Sequence, residues 1–175
     1  MINSACKGLL HVFTGKGKGK TTAAIGMAIR FAGTGKKVFI AQFVKGMPYA
    51  ELNILDKIPE IEVRQFGQDC FIINKPTKHD ISLAKKGLTE AKAKMRSGQY
   101  GMVILDEACI AVYYHLFSSS TLIGIIESRA ENTEVVVTGR YADPSLIRKA
   151  DLVTEMKEIK HYYNKGMQAH KGIEF

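Results

Sequence analysis

Eight consecutive residues have the types and spacing for binding a polyphosphate: Gly15, Lys16, Gly17, Lys18, Gly19, Lys20, Thr21 and Thr22. The glycines let the backbone curl with its N–H groups pointing inward, and a helix that starts here adds about half a positive charge at its N-terminus. Lys20 reaches a phosphate oxygen as a mobile point charge, and Thr21 carries the hydroxyl that usually meets Mg²⁺ in such loops. The spacing departs from the usual pattern. Counting back from Gly19, the first glycine of the common motif falls on Thr14, and the nearest glycine, Gly15, leaves a gap of three residues where four are usual.

A second group of chemical residues lies far downstream. Met102-Val103-Ile104-Leu105 is followed by Asp106 and Glu107. Four apolar residues and then two acids make a strand whose carboxylates emerge at its C-terminal end, beside a phosphate loop, where one of them binds Mg²⁺ directly or through water. These residues alone leave open whether Asp106 or Glu107 is the direct ligand. Gln42 and Lys45 fall at or just past the end of another strand, where ligands collect in open α/β sheets, although a solvated strand end explains Lys45 equally well. Arg140 follows a β-branched run and Gly139, a place from which a guanidinium clamps phosphate or carboxylate.

These residues need a scaffold, and the rest of the pattern supplies one. Strands are expected at 9–14, 38–44, 61–66, 134–138 and 152–156, with another ending at Asp106. Helices are expected at 19–31, 49–56, 80–96, over Leu122 to Ala130, and after the Asp143-Pro144 start signal. In the helix over 80–96, Ile81, Ala84, Leu88, Ala91 and Met95 recur at steps of three and four, and its lysines read as a solvated face. The near-continuous apolar first strand suits a sheet covered on both faces. Strand and helix alternate from end to end, so the expected fold is α/β: a mostly parallel sheet with helices on both faces. The connection 67–77 is long and contains Cys70, Phe71 and Ile72, which is either a hydrophobic loop tip or a core anchor.

The 175 residues suffice for one domain, with 46% apolar and 24% charged residues. No apolar run is long enough for a membrane span, and the first eight residues show no signal-peptide pattern, so a cytoplasmic protein is expected. The three cysteines form no CxxC pair and read as reduced thiols. A net charge of +8 favours anionic partners. Without a basic stripe interleaved with aromatics, nucleic acid is not the expected one.

The chain as a whole resembles the ATP:corrinoid adenosyltransferases of cobalamin synthesis and salvage. The resemblance rests on the short-spaced loop from Gly15 to Thr22, on Gln42-Phe43-Val44-Lys45-Gly46, on Leu105-Asp106-Glu107 and on Val137-Thr138-Gly139-Arg140. It extends to the tail: Lys160-His161, Gly166, Ala169 and Gly172-Ile173-Glu174-Phe175. It implies a RecA-like phosphate-loop fold in one domain, 1–175, with residues 157–175 as a tail packing near the site. It also implies transfer of the 5′-deoxyadenosyl group of ATP to the Co(I) of a reduced corrinoid, cobalamin or a precursor such as cobyrinic acid a,c-diamide, with triphosphate leaving. ATP is held reversed, so that C5′ faces the second substrate.

By the same resemblance Lys20, Glu107 and Arg140 act in the reaction, and Thr21, Asp106 and Glu107 hold Mg²⁺. Residues 15–22 and Lys45 bind the nucleotide, and Phe71 serves the corrinoid side by excluding the lower cobalt ligand. A homodimer and a reductase partner such as a flavoprotein are implied as well. A RecA-like ATPase or a small-molecule kinase on the same fold is the competing reading. It requires ADP as product in place of triphosphate.

Overall fold

The computed structural model describes residues 7–68 and 75–174. Six strands form one sheet: β1 (Leu10–Thr14), β2 (Lys37–Phe43), β3 (Ile61–Phe66), β4 (Tyr100–Asp106), β5 (Glu134–Thr138) and β6 (Leu152–Glu155). Their order is β3-β2-β4-β5-β1-β6, and every pairing is parallel. The helices are α1 (Lys20–Ala32), α2 (Leu52–Leu55), α3 (Lys78–Arg96), α4 (Ala108–Tyr113), α5 (Ser119–Glu127) and α6 (Pro144–Lys149). The tail forms a 3₁₀ turn at Tyr162–Lys165. None of the described helices is long and apolar enough to cross a membrane.

The period-2 alternation of strands divides the core in two. Val38 and Ile40 of β2, with Met102 and Ile104 of β4, point to one face and meet Ala24, Ala28 and Ala32 of α1. Phe39, Ala41 and Phe43, with Val103 and Leu105, point to the other and meet Ala84, Leu88, Ala91 and Met95 of α3, with Leu122 and Ile126 of α5. The alanines of α1 let that helix lie close on the sheet, which holds its N-terminus, and the glycine loop before it, at the ends of the strands.

Several element ends differ from the sequence expectation. β2 stops at Phe43 because Val44 turns into the left-handed region (φ 58). The short helix at 49–56 reduces to the four residues of α2. α3 begins two residues early, because Thr77 and Asp80 form a reciprocal capping box. α5 stops at Glu127 where the pattern extended to Ala130. α4 was not expected at all: Ala108, Cys109 and Ala111 continue the apolar run of β4, and only the left-handed turn at Glu107 (φ 58) converts strand into helix.

Candidate active site

The site is a polar row along the C-terminal ends of four neighbouring strands. Gln65 of β3 lies opposite Gln42 of β2, and Gln42 lies opposite Asp106 of β4. Thr138 ends β5 on the far side. Hydrogen bonds run along the row: Gln65 Nε2 donates to Gln42 Oε1 (3.1 Å), Gln42 Nε2 to Asp106 Oδ2 (3.4 Å), and Thr138 Oγ1 to Asp106 Oδ1 (2.7 Å).

Asp106 is the hub, 1% exposed. Besides the row, Thr21 Oγ1 donates to its Oδ1 (2.9 Å) and Lys45 Nζ to its Oδ2 (2.8 Å). The phosphate loop and the chain just past β2, 85 and 61 residues from Asp106 in sequence, are thus joined to the end of β4 at one carboxylate. The Lys45 ammonium also lies over the Tyr49 ring, 4.9 Å from its centroid. Burial pulls the Lys45 pKa down, but the charge and hydrogen bond of Asp106 outweigh it and hold the ammonium above its ordinary value. Lys45 is therefore no solvated strand end.

The loop itself is shaped by the edge strand. Met156 N donates to Thr14 O (2.8 Å) and Gly17 N donates to Met156 O (2.6 Å), so the backbone just past β6 is laced to the loop. A Cβ at Gly15 or Gly17 would lie 2.5 or 2.6 Å from that same carbonyl oxygen, which no side chain permits. The glycines here are required by close backbone approach. Lys20 is drawn under the loop and donates to Gly15 O (3.0 Å) and Gly17 O (2.7 Å). Burial lowers its pKa, Glu107 and Asp106 oppose the shift, and Arg140 adds to it.

Glu107 sits beside Asp106 with its backbone N–H bonded to Thr138 Oγ1 (3.0 Å). Burial and then the Asp106 charge raise its pKa, and Lys45, Lys20 and Arg140 offset this only in part. Its carboxylate accepts no hydrogen bond among the described residues, in contrast to that of Asp106. Arg140 itself is exposed at the end of β5. Lys16 and Thr22 are exposed. Lys18 points toward the tail, donating to Ile173 O (2.5 Å) and Glu174 Oε1 (3.0 Å). Phe71 lies outside the described residues.

The structure thus brings Lys20, Thr21, Lys45, Asp106 and Glu107 together, with Arg140 near enough to act on Lys20 and Glu107 by charge. The sequence reading left out Thr138 and Gln65 as site members, although Thr138 ends a strand whose preceding three residues are all valine and Gln65 stands one residue before the end of its strand. Val44, Glu107 and Tyr141, near the ends of β2, β4 and β5, all have positive φ (58°, 58° and 60°). Left-handed backbone at non-glycine residues is uncommon, costs on the order of 1–3 kcal/mol and concentrates at functional sites.

Three oxygen donors converge here: the Thr21 hydroxyl and the carboxylates of Asp106 and Glu107. Such donors suit a hard divalent cation. Among the described residues no group of three or more His, Cys, Asp or Glu forms a complete cage. Two carboxylates and a hydroxyl are the donor types of Mg²⁺, which is usually held by one or two carboxylates together with water and substrate phosphates.

A parallel sheet with a glycine loop between β1 and α1, and an acidic strand end beside it, defines a phosphate-loop α/β protein. Residues 6–175 match the family described as ATP:corrinoid adenosyltransferase BtuR/CobO/CobP, and the chain belongs to that family. It is similar to a corrinoid adenosyltransferase of Sinorhizobium sp, 37% identical over 97% of this chain and 81% of the relative. Corrinoid adenosyltransferases of Pseudomonas aeruginosa and Escherichia coli K12 are 35% and 34% identical, each over 97% of this chain and over 84% and 86% of the relative.

Proposed function

We propose that the protein transfers the 5′-deoxyadenosyl group of ATP to the cobalt of a reduced corrinoid, cob(I)alamin or cob(I)yrinic acid a,c-diamide, in cobalamin biosynthesis or salvage. The observation that carries this is the junction of phosphate loop and acidic strand end at Asp106, in a chain that matches the family from residue 6 to residue 175. In the reaction the electron pair of Co(I) forms the new bond to C5′. The C5′–O bond breaks, and its pair leaves with inorganic triphosphate. No proton moves, so no general base is needed.

The residues' tasks are positioning and neutralisation. The backbone N–H groups of residues 15–22, apart from that of Gly17, which is bonded to Met156 O, and the Lys20 ammonium receive the charge of the leaving triphosphate. Lys20 needs only to exchange the carbonyls of Gly15 and Gly17 for phosphate oxygens. Thr21, Asp106 and Glu107 would hold Mg²⁺, whose charge balances that of the triphosphate. The many donors already on Asp106 favour Glu107 as the freer carboxylate. Lys45 fixes Asp106 in place, and Arg140 supplies further positive charge at the rim.

The bonds from Lys18 to Ile173 and Glu174 support a tail, 157–175, that packs near the site. Phe71 is assigned to the corrinoid side by family likeness alone. The same likeness supports a homodimer, a reductase such as a flavoprotein as the source of Co(I), and a cytoplasmic setting. The test is an anaerobic assay with Mg-ATP and chemically reduced cobalamin, followed by visible spectrum and phosphate product. A light-sensitive adenosylated corrinoid with inorganic triphosphate is expected. ADP with an unchanged corrinoid spectrum would overturn the reading in favour of an ATPase or kinase.

A further inference from the structure

Two tyrosines form an open aromatic stack next to the point where the chain after β5 is tied to Thr14, the residue before the phosphate loop. The rings of Tyr113 and Tyr141 lie 4.4 Å apart with planes 29° from parallel. Both are half exposed, 51% and 49%. Tyr141 has φ 60, which a bulky residue adopts only where its surroundings hold it.

The surroundings are specific. On one side of Tyr141 is Arg140, whose charge reaches Lys20 and Glu107. On the other, Ala142 N donates to Thr14 Oγ1 (3.3 Å), the residue just before the glycine loop. Gly139 packs so closely on α4 that a Cβ there would lie 2.9 Å from Cys109 Cβ. Tyr113 stands four residues after Cys109, one turn further along the same helix face. The fold therefore clamps the end of β5 against α4, ties it to the phosphate loop, and presents two stacked rings there. A groove of about 510 Å³ continues outward from the pair, lined by Val112, Phe117 and Pro144 among others.

We propose that the Tyr113–Tyr141 stack is the platform on which the purine base of the nucleotide lies. This rests on the reading that a nucleoside triphosphate occupies the glycine loop. A base joined to that triphosphate must lie within a few residues of the loop, and this stack is tethered to it at Thr14. A flat π-face adds to an existing aromatic stack, and base–aromatic stacking is among the stronger contacts a nucleotide makes. A corrin ring, with substituents projecting above and below its plane, does not lie flat on a tyrosine.

The test is calorimetric titration of ATP and of inorganic triphosphate, each with Mg²⁺, into the wild-type protein and into Tyr141→Ala, Tyr113→Ala and Tyr141→Phe. Tyr113→Ala removes a ring from a regular helix without touching the left-handed residue. Each alanine variant is expected to bind ATP about tenfold more weakly, the loss of one stacked ring, while triphosphate affinity stays unchanged. Tyr141→Phe is expected to restore ATP binding. Equal losses for ATP and triphosphate would overturn the proposal by making the pair a brace for the loop. Unchanged ATP binding with a raised corrinoid KM would overturn it by assigning the pair to the other substrate. A wild-type protein that shows the expected binding pattern but fails to adenosylate the corrinoid would overturn the proposed function and leave the platform standing.

Discussion

At each end of the same strands, a lysine bound to a carboxylate also lies over an aromatic ring. At the C-terminal ends, Lys45 binds Asp106 (2.8 Å) and lies over Tyr49. Toward the N-terminal ends, Lys94 binds Glu62 (2.7 Å) and lies over Tyr100 and Phe39. The second cluster closes on itself. Glu62 accepts from Lys94, from the Tyr100 hydroxyl (2.5 Å) and from Arg64, and among the described residues no positive-φ residue other than glycine adjoins it. The first is more deeply buried and has a second acid, Glu107, beside it. Strained backbone also flanks it, at Val44 and Glu107. The same chemistry braces the sheet at one end. At the other it is loaded with unbalanced charge and held ready for a ligand.

The sharpest way to break the comparison is to remove each lysine. Lys45→Ala leaves the Asp106 carboxylate buried and short of its countercharge, an effect on the order of 3–5 kcal/mol. Lys94→Ala releases a carboxylate that is 29% exposed, and the expected loss is about 1 kcal/mol. Urea unfolding of both variants measures the difference. Similar losses would show that the two clusters are equivalent braces.

The neighbouring acids sharpen it further, because their shifts have opposite signs. The Glu107 pKa is raised by burial and by Asp106, so its ionised form is disfavoured in the folded state and stability falls as pH rises through that value. Glu107→Gln removes this burden. A higher Tm at pH 7 is expected, together with a large loss of adenosyl transfer, the pattern of a residue kept for function at the expense of stability. A lower Tm would make Glu107 a structural acid.

For Glu62, burial raises the pKa, but the hydrogen bonds of Lys94 and Tyr100 prevail and hold it at about 2, below its ordinary value of 4.5. Its stabilisation is complete above pH 4.5 and is lost as pH falls through about 2. Glu62→Gln is therefore expected to be less stable than wild type near pH 7, with the gap closing below pH 4.5. Melting curves across that window check it. A gap that stays constant with pH would mean that the carboxylate charge plays no part.

The two clusters also differ in how far the sequence reveals them. The glycine loop, the acidic strand end and the six strands are local patterns, and each was legible. Lys45 is a different matter, since its burial depends on Asp106, sixty-one positions away. Gln42, Gln65 and Thr138 form one row only once the strand order is known, and no window of sequence contains that order. α4 was hidden because the residues after Asp106 continue the apolar run, and the turn that separates strand from helix is a backbone conformation at Glu107 with no glycine to announce it. The tail looked bland, with no hint beyond family likeness that Glu174 would meet Lys18. The long connection's Phe71 lies outside the described residues.

That tail contact yields the smallest of the expected effects. Lys18 is drawn to Glu174, which also accepts from His170 N (3.0 Å) and the Tyr162 hydroxyl, so the end of the chain gathers on one carboxylate. On the proposed function, this carboxylate competes with triphosphate for Lys18. Glu174→Ala is expected to leave Tm unchanged, because the tail packs no core, and to raise ATP affinity slightly. The gain should be largest at low ionic strength and fade as salt screens the exposed pair. A fall in ATP affinity would assign the tail the opposite role, with Glu174 holding it down as a closure over bound nucleotide. In that case the site would be completed by the tail, and the contrast between the closed Glu62 cluster and the open Asp106 cluster would extend to the last residues of the chain.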